Sequence, residues 1–176
     1  MKSMVEISNE FLKPVLHRQA ICIDATVGNG KDSQFFLSQK VRKVYGFEIQ
    51  ADVLAQTKTR IQDGNWMPIL AGHETMDAYV QEEVDAIIFN FGFCPNEDET
   101  ITTLPQTSAI AVKKSLQLLK RKGRMALVLY PHLFSDDEQQ TIETILSGLS
   151  NHAFQIYKIQ TLNVQKTPYF IGIEKR

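Results

Sequence analysis

The chain has 176 residues, a length that suits one domain with a sizeable core, so we expect a single domain over residues 1–176. A hydrophobic content of 43%, a charged content of 22% and a net charge of -1 are ordinary for a soluble globular protein and provide no overall field that would attract nucleic acid. No apolar run approaches the length of about 18 residues that a membrane helix needs, and the N-terminus is too polar for a signal peptide. Cys22 and Cys94 lie far apart in the sequence, without metal spacing, which favours a reducing compartment. A cytoplasmic protein without membrane contact is therefore predicted.

Strand-like and helix-like segments alternate along the chain, which is typical of a mostly parallel sheet with helices on both faces. In chain order the pattern predicts a helix over 4–18, a strand over 20–25, a helix over 31–39, a strand over 43–48, a helix over 51–62, strands over 66–71 and 84–89, a helix over 107–120 that stops before Gly123, a strand over 124–130, a helix over 135–149, and strands over 153–162 and 168–174. The last two strands are close enough in sequence to pair as a hairpin. We therefore expect an α/β, Rossmann-like sheet of seven strands that ends in an antiparallel hairpin.

The segment from Ile21 to Asp32 is the most informative part of the sequence. An apolar strand runs into Asp24, and a turn with Gly28 and Gly30 then leads to a helix start. About twenty residues further on, a second strand ends at Glu48. Strand, glycines, helix and acidic strand end together predict a nucleoside-cofactor site, although two glycines that only form a tight turn are the simpler alternative.

The details of this turn favour S-adenosylmethionine over a dinucleotide. A pyrophosphate needs glycines and a helix N-terminus that is free of carboxylates, but position 33 is serine and Asp32 stands where the anion would approach. S-adenosylmethionine has a sulfonium and an ammonium instead, and Asp24 or Asp32 would attract both cations. Glu48 could accept hydrogen bonds from both ribose hydroxyls.

Polar residues follow each of the first five strands, at the edge where ligands bind in open parallel sheets. They are Asp24, Thr26, Asn29 and Asp32; Glu48 and Gln50; Gly72, His73 and Glu74; Asn90; and Tyr130 and His132. His73 would stack on adenine or bond its edge, or else face solvent at a helix start. Glu74 would contact the cofactor or serve as a first-turn carboxylate favoured by the helix dipole.

The segment Asn90-Phe91-Gly92-Phe93 resembles in layout the Asn-Pro-Pro-aromatic loop of amino-group methyltransferases. Methyl transfer to nitrogen is an in-line displacement that needs a neutral, oriented amine. The Asn90 side-chain carbonyl could accept an amine hydrogen while Phe91 or Phe93 holds the attached base. The alternative is a strand end that turns through Gly92 with both phenylalanines in the core.

The remaining polar segments are assigned to the substrate side. The acidic loop 95–103 is either a lid or a solvated loop, and within it Thr102 is a candidate substrate contact. His132 is a second candidate contact, with a structural role as its alternative. A basic cluster is either a solvated helix face or a phosphate-binding edge; it comprises Lys113, Lys114, Lys120, Arg121, Lys122 and Arg124. The histidines and cysteines have no metal-ligand spacing, so no metal is predicted.

Several of these motifs together resemble one known family. They are Asp24-Ala-Thr-Val-Gly28-Asn29-Gly30-Lys-Asp32, Tyr45-Gly-Phe-Glu48-Ile-Gln50, Gly72-His73-Glu74, Phe89-Asn90-Phe-Gly92-Phe and Ile101-Thr102-Thr103. In this order they are similar to the rRNA methylase family, class I methyltransferases whose characterised members look to be tRNA 5-aminomethyl-2-thiouridine methyltransferases. The similarity runs from the opening helix to the last strand.

The resemblance implies N-methylation of an aminomethyl group at the tRNA wobble position, with S-adenosylmethionine as cofactor and S-adenosylhomocysteine as product. By matching position, it implies that Asn29, Asp32, Glu48, Gln50, His73 and Glu74 carry the cofactor. The chain departs from the family at 95–97, where Pro-Asn-Glu replaces Pro-Gly-Gly, and at 131–133, where Pro-His-Leu replaces a Gly-His element. Both departures lie on the substrate side.

Three alternatives in function remain open from the sequence. The enzyme could methylate rRNA or a small amine, the protein could bind S-adenosylmethionine without catalysis, or it could be a nicotinamide oxidoreductase. A homodimer is possible through the opening helix or the terminal hairpin, and tRNA is the expected partner.

Overall fold

The computed structural model describes residues 1–91, 104–131, 136–164 and 166–176. Within these ranges, seven strands form one sheet in the order β3-β2-β1-β4-β5-β7-β6. They are β1 (Ile21–Asp24), β2 (Lys43–Glu48), β3 (Trp66–Leu70), β4 (Val84–Asn90), β5 (Leu119–Leu129), β6 (Phe154–Ile159) and β7 (Tyr169–Lys175). Strands β1 to β5 pair in parallel, whereas β7 pairs antiparallel to both β5 and β6. The predicted fold class, including the terminal hairpin, is confirmed.

Helices precede the sheet and connect its strands. They are α1 (Met4–Leu12), α2 (Lys31–Ser38), α3 (Ala51–Arg60), α4 (Met76–Tyr79), α5 (Pro105–Leu118) and α6 (Asp136–Ser147). A capping box starts α1, since the Ser3 hydroxyl accepts from the Glu6 amide while the Glu6 carboxylate accepts from the Ser3 amide. The opening helix ends before the predicted residue 18, because Pro14 cannot continue an α-helix and the chain forms a 3-10 turn over Lys13–Val15 instead. The short α4 is absent from the sequence-based prediction.

The role predicted for Gly123 as a helix stop is wrong. Helix α5 already ends at Leu118, and Gly123 lies inside β5, where the register with β4 shifts between Val84 and Ala86. A Cβ atom at Gly123 would lie 2.9 Å from the carbonyl oxygen of Lys120, so the glycine permits a close approach of the backbone at this irregularity. A glycine after a helical pattern indicates a place where the backbone needs the freedom of glycine. Here that place is the irregular start of β5 and not the end of α5.

Two hydrophobic clusters cover the two faces of the sheet. On one face Met76, Val112 and Ile142 of α4, α5 and α6 pack on the strands. On the other face lie residues of α1, α2 and α3, such as Leu12 and Phe36. The polar groups at the carboxyl ends of the strands are therefore left at one edge of the sheet, between the two helix layers. No helix in the described ranges is long and apolar enough to cross a membrane.

Candidate active site

The turn after β1 is held in a conformation that glycine permits. Gly28 has φ 46° and Gly30 has φ 79°, both in the left-handed region. A Cβ atom at Gly30 would lie 2.6 Å from Cγ2 of Thr57, so α3 packs directly against the turn. The Thr57 hydroxyl also donates to the carbonyl of Gly28 at 2.7 Å. Helix α3 therefore fixes the path of the glycine turn.

Glu48 connects this turn to the start of α3. One carboxylate oxygen accepts the Gly28 amide at 2.9 Å, and the other accepts the Gln50 amide at 3.0 Å. Its side chain is buried at the end of β2. Because each carboxylate oxygen has two lone pairs, both oxygens can still accept a hydroxyl group from a ligand. The predicted ribose acceptor is thus oriented by the backbone of the two turns that it joins.

Asp24 lies beneath the turn and is fully buried. Its carboxylate accepts the Thr26 amide at 3.2 Å and the Ser33 hydroxyl at 2.6 Å. The Ser33 oxygen in turn accepts the indole N–H of Trp66 at 3.1 Å. Asp24 is therefore bonded within the turn from below, and its contact with the cofactor stays a prediction.

Asp32 and Asn90 meet at the start of α2 and the end of β4. The side-chain amide of Asn90 donates to Oδ2 of Asp32, and the Asn90 backbone amide donates to the Thr26 hydroxyl at 2.8 Å. The Oδ1 atom of Asn90 is buried and has no hydrogen-bond partner among the described residues. The arrangement leaves one oriented carbonyl acceptor at the carboxyl end of β4.

The two carboxylates of the turn share one electrostatic environment. Burial raises the pKa of Asp24 to about 7, and the nearby charge of Asp32 adds to the rise. Burial also raises the pKa of Asp32, while the Asn90 amide and Lys31 oppose that rise. The pKa of Tyr130 is raised by burial and by the charge of Asp32, so this phenol also lies near the pair. Two adjacent buried carboxylates favour a cationic ligand and disfavour a phosphate.

His73 lies behind the turn, in the 3-10 segment His73–Thr75 that precedes α4. Its Nδ1 is 3.2 Å from the Ala25 carbonyl, and its ring packs edge-on against Phe89 and Phe91. Burial lowers the pKa of His73, so the ring is neutral at pH 7. A carbonyl can only accept, so Nδ1 carries the proton and Nε2 is an acceptor. That Nε2 is buried without a partner among the residues that the structure describes.

The other predicted cofactor residues surround this centre. The Asn29 side-chain carbonyl accepts from the Arg60 guanidinium at 3.2 Å. Gln50 is half-buried at the N-cap of α3. Glu74 is half-buried, and its carboxylate lies against Gly72. The residues of the glycine turn and those that follow β2 and β3 thus lie along one edge of the sheet.

On the substrate side, the structure describes fewer of the predicted residues. The Phe91 ring is 1% exposed and stacks on Phe89 with centroids 5.0 Å apart, so it supports His73 from the core. Gly92, Phe93, Thr102, His132 and the acidic loop 95–103 lie outside the described residues.

Four of the six residues of the basic cluster are engaged in ion pairs: Lys114 with Asp77, Lys120 with Asp85, and both Lys122 and Arg124 with Glu174. These pairs favour a structural role for that face of the molecule. The described ranges contain no cluster of three or more His, Cys, Asp or Glu side chains that could hold a metal ion.

Three residues that support the turn are not among the predicted site residues: Ser33, Thr57 and Trp66. Each bonds or packs within the cofactor turn. Thr57 carries a signal that could have been used, because it continues the apolar stripe of Val53 and Leu54 on α3 and is itself fully buried. For Ser33, the sequence has one indication of a special role: serine stands where the dinucleotide-binding pattern has its third glycine.

A mostly parallel sheet with a glycine turn after β1, a buried acid at the end of β2 and, at the end of β4, a buried asparagine carbonyl without a partner among the described residues defines a Rossmann-like methyltransferase. The sequence model of one family, described as "Putative rRNA methylase", matches residues 44–174. This match covers more than half of the chain, and the chain belongs to that family.

Known proteins similar to this chain agree with that assignment. A chloroplastic tRNA (mnm(5)s(2)U34)-methyltransferase of Arabidopsis thaliana is 27% identical over an alignment of 192 residues, gaps included, that covers 99% of this chain and 70% of the relative. A methyltransferase of Streptococcus mutans, solved in complex with SAH, is 36% identical, with a TM-score of 0.91 and coverage of 100% of this chain and 99% of the other. An rRNA methylase structure from Clostridium thermocellum is 29% identical, with a TM-score of 0.93 and the same coverage. The predicted family, enzyme class and cofactor, S-adenosylmethionine, are confirmed.

Proposed function

We propose that this enzyme methylates RNA, and that its acceptor is the aminomethyl group of 5-aminomethyl-2-thiouridine at the tRNA wobble position. The family description names RNA, and the Arabidopsis relative is named for this nucleoside. The observation that carries the proposal is the Oδ1 atom of Asn90, a buried carbonyl acceptor without a partner in the described part of the chain. An amine that donates a hydrogen to this atom would satisfy it.

The residues of the turn fit S-adenosylmethionine. The glycine turn would receive the methionine part, Glu48 would accept the ribose hydroxyls, and His73 and Glu74 would lie on the adenine side, with Asn29 and Gln50 at the flanks. Glu48 is held by two backbone amides in a geometry that keeps lone pairs free. When bound, S-adenosylmethionine supplies an electrophilic methyl group on a positively charged sulfur.

The carboxylates Asp24 and Asp32 would stabilise the cationic end of that cofactor. They are adjacent and buried, and the charge of Asp32 raises the cost of ionising Asp24 in the free protein. A cation placed near them lowers that cost. A pyrophosphate would raise it, which explains why this turn suits a cofactor without phosphate.

Asn90 would orient the acceptor amine. Its backbone is bonded to Thr26, and its amide nitrogen is bonded to Asp32, so the remaining carbonyl has a defined direction. An amine that donates a hydrogen to Oδ1 would have its nitrogen lone pair directed away from the asparagine and available for attack on the methyl group. Rate acceleration would then come mainly from positioning of the amine, which can raise a reaction rate by up to several orders of magnitude.

The test is methyl transfer from labelled S-adenosylmethionine to tRNA from a strain that lacks this protein, with the product nucleosides identified by mass spectrometry. We expect label in 5-methylaminomethyl-2-thiouridine. Label in rRNA or in a small amine, with none in tRNA, would overturn the tRNA proposal and leave the enzyme class intact. Lys114 and Lys120 of the basic cluster are paired with acidic side chains, so the cluster gives limited support for a phosphate-binding edge. The same assay therefore includes the alternative substrates.

The role of Asn90 is tested by Asn90→Ala. We expect SAH affinity to stay within about threefold and kcat to fall about 100-fold, because the variant loses orientation of the amine but none of the cofactor contacts. Asn151→Ala is the matched control, since Asn151 is exposed in the turn before β6. Wild-type turnover in Asn90→Ala would exclude the proposed role.

A further inference from the structure

We propose that Asp32 is the positioning residue for the Asn90 amide: it holds the nitrogen of that amide and thereby keeps Oδ1 directed at the acceptor amine. This inference rests on the proposed function for the identity of the amine. The orientation of the Asn90 amide itself can be measured without any substrate.

The last side-chain torsion angle of Asn90 decides which way its amide group faces. Its backbone amide is held by the Thr26 hydroxyl at 2.8 Å, so the strand end cannot shift easily. Its side-chain amide could still rotate by half a turn about the last torsion angle, which exchanges the nitrogen and the oxygen. The contact with Asp32 decides between the two orientations.

An ionised carboxylate can accept hydrogen bonds but cannot donate them. Facing Asp32, the asparagine must therefore present its nitrogen, and Oδ1 points to the other side. The structure has this orientation, and Oδ1 is the atom left without a partner within the described ranges. A rotated amide would instead direct two N–H donors at an amine, which also donates.

The ionised state of Asp32 is therefore part of the arrangement. Within the described ranges, three ionisable groups interact with Asp32: Asp24 from β1, Lys31 from its own helix, and Tyr130 after β5. Lys31 and the Asn90 amide favour an ionised Asp32, and Ser33 and Thr26 favour an ionised Asp24. Asp24 is the more deeply buried of the two, and burial raises its pKa to about 7. When the pair holds one proton, it thus belongs on Asp24, and Asp32 remains the acceptor for Asn90. A second proton, taken up at lower pH, would free the amide to rotate.

The first experiment observes the side-chain amide of Asn90 by NMR in the 15N-labelled full chain. We expect one Asn90 amide proton to be shifted downfield by the carboxylate, and to move upfield when acid protonates Asp32. Asp32→Asn should abolish both effects, and Asp52→Asn, at an exposed position in the first turn of α3, should change neither. An Asn90 resonance that is insensitive to pH and to Asp32→Asn would overturn the proposal.

The second experiment uses turnover and an exchanged pair. Asp32→Asn should lower kcat about 10- to 100-fold with little change in the KM for RNA, because the amide orientation is no longer fixed. The double variant Asp32→Asn/Asn90→Asp should recover at least tenfold, since the introduced asparagine would then donate to one oxygen of the introduced aspartate and leave the other oxygen for the amine. Wild-type kcat in Asp32→Asn, or no recovery in the double variant, would overturn the proposal.

The two experiments separate the inference from the proposed function. If the NMR result is as expected but no tRNA is methylated, the proposed substrate fails and the positioning by Asp32 stands. If tRNA is methylated but the Asn90 amide resonance does not depend on Asp32, the proposed substrate is retained and the positioning role is rejected.

Discussion

The hydroxyl of Ser33 donates a 2.6 Å hydrogen bond to the buried carboxylate of Asp24. Position 33 is where a dinucleotide-binding turn has its third glycine, which permits close packing of helix on strand. Here a serine occupies that position, and its hydroxyl connects α2 to the end of β1. The indole N–H of Trp66, in β3, donates in turn to the serine oxygen. Through these bonds the fully buried Asp24 carboxylate connects β1, α2 and β3 beneath the turn.

This relationship predicts a pH-dependent effect of Asp24→Asn on stability. A carboxyl whose pKa is about 7 when folded, against about 4 when unfolded, holds its proton longer in the folded state. Its contribution to stability is therefore fully present below about pH 4 and is lost as pH rises toward 7, by roughly 4 kcal/mol at most. Asparagine does not ionise, so the variant should gain stability relative to wild type between pH 5 and pH 8.

Urea unfolding at pH 5, 6, 7 and 8 measures this difference. Asp52→Asn, at an exposed position, should show a constant difference from wild type across the same range. A difference for Asp24→Asn that does not grow with pH would mean that Asp24 is ionised throughout.

Glu48→Gln should weaken cofactor binding. Both Glu48 oxygens accept backbone amides, and a glutamine nitrogen would face one of these donors instead. We expect SAH affinity, measured by calorimetry, to fall at least tenfold. Glu82→Gln is the matched control, because Glu82 pairs with Lys43 at the opposite end of β2 and should leave the affinity unchanged. Equal affinities for the two variants would remove Glu48 from the cofactor site.

Gly30→Ala should both destabilise the protein and reduce cofactor affinity. The left-handed φ of 79° is strained for alanine, and the added Cβ would meet Thr57 at 2.6 Å and Ile61 at 2.8 Å. We expect a loss of about 1–3 kcal/mol in the free energy of unfolding. The control is Gly64→Ala, where a Cβ atom meets nothing within 4 Å. Comparable stability losses at the two glycines would contradict the packing argument.

His73 should be neutral at pH 7, with its proton on Nδ1. Burial lowers its pKa, and the bond to Ala25 keeps the proton on Nδ1. Imidazole 15N shifts should therefore report the Nδ1–H tautomer of His73 at pH 7. A His73 ring that carries its proton on Nε2, or on both nitrogens, at pH 7 would contradict the buried arrangement.

The order of the elements could be predicted because each depends on local patterns. The apolar run of β5, the glycine turn and the acidic end of β2 are visible in the sequence and agree with the structure. The predicted end of α5 is two residues too far, because Gly123 satisfies a strand irregularity that depends on β4, a separate segment. Local patterns do not contain the register between strands that are far apart in the chain.

Hydrophobic periodicity and glycine placement are properties of consecutive residues, so the sheet, the cofactor turn and the residues at its rim follow from the amino-acid order alone. What each polar residue does there depends on the folded arrangement. Folding places Asp24 beneath the turn and Phe91 in the core, and it joins Asp32 to Asn90 across 58 positions. Burial, pKa and amide orientation arise from neighbours that are distant in the chain, so only the folded arrangement distinguishes Asp24, which is bonded to Ser33, from Asp32, which is bonded to Asn90.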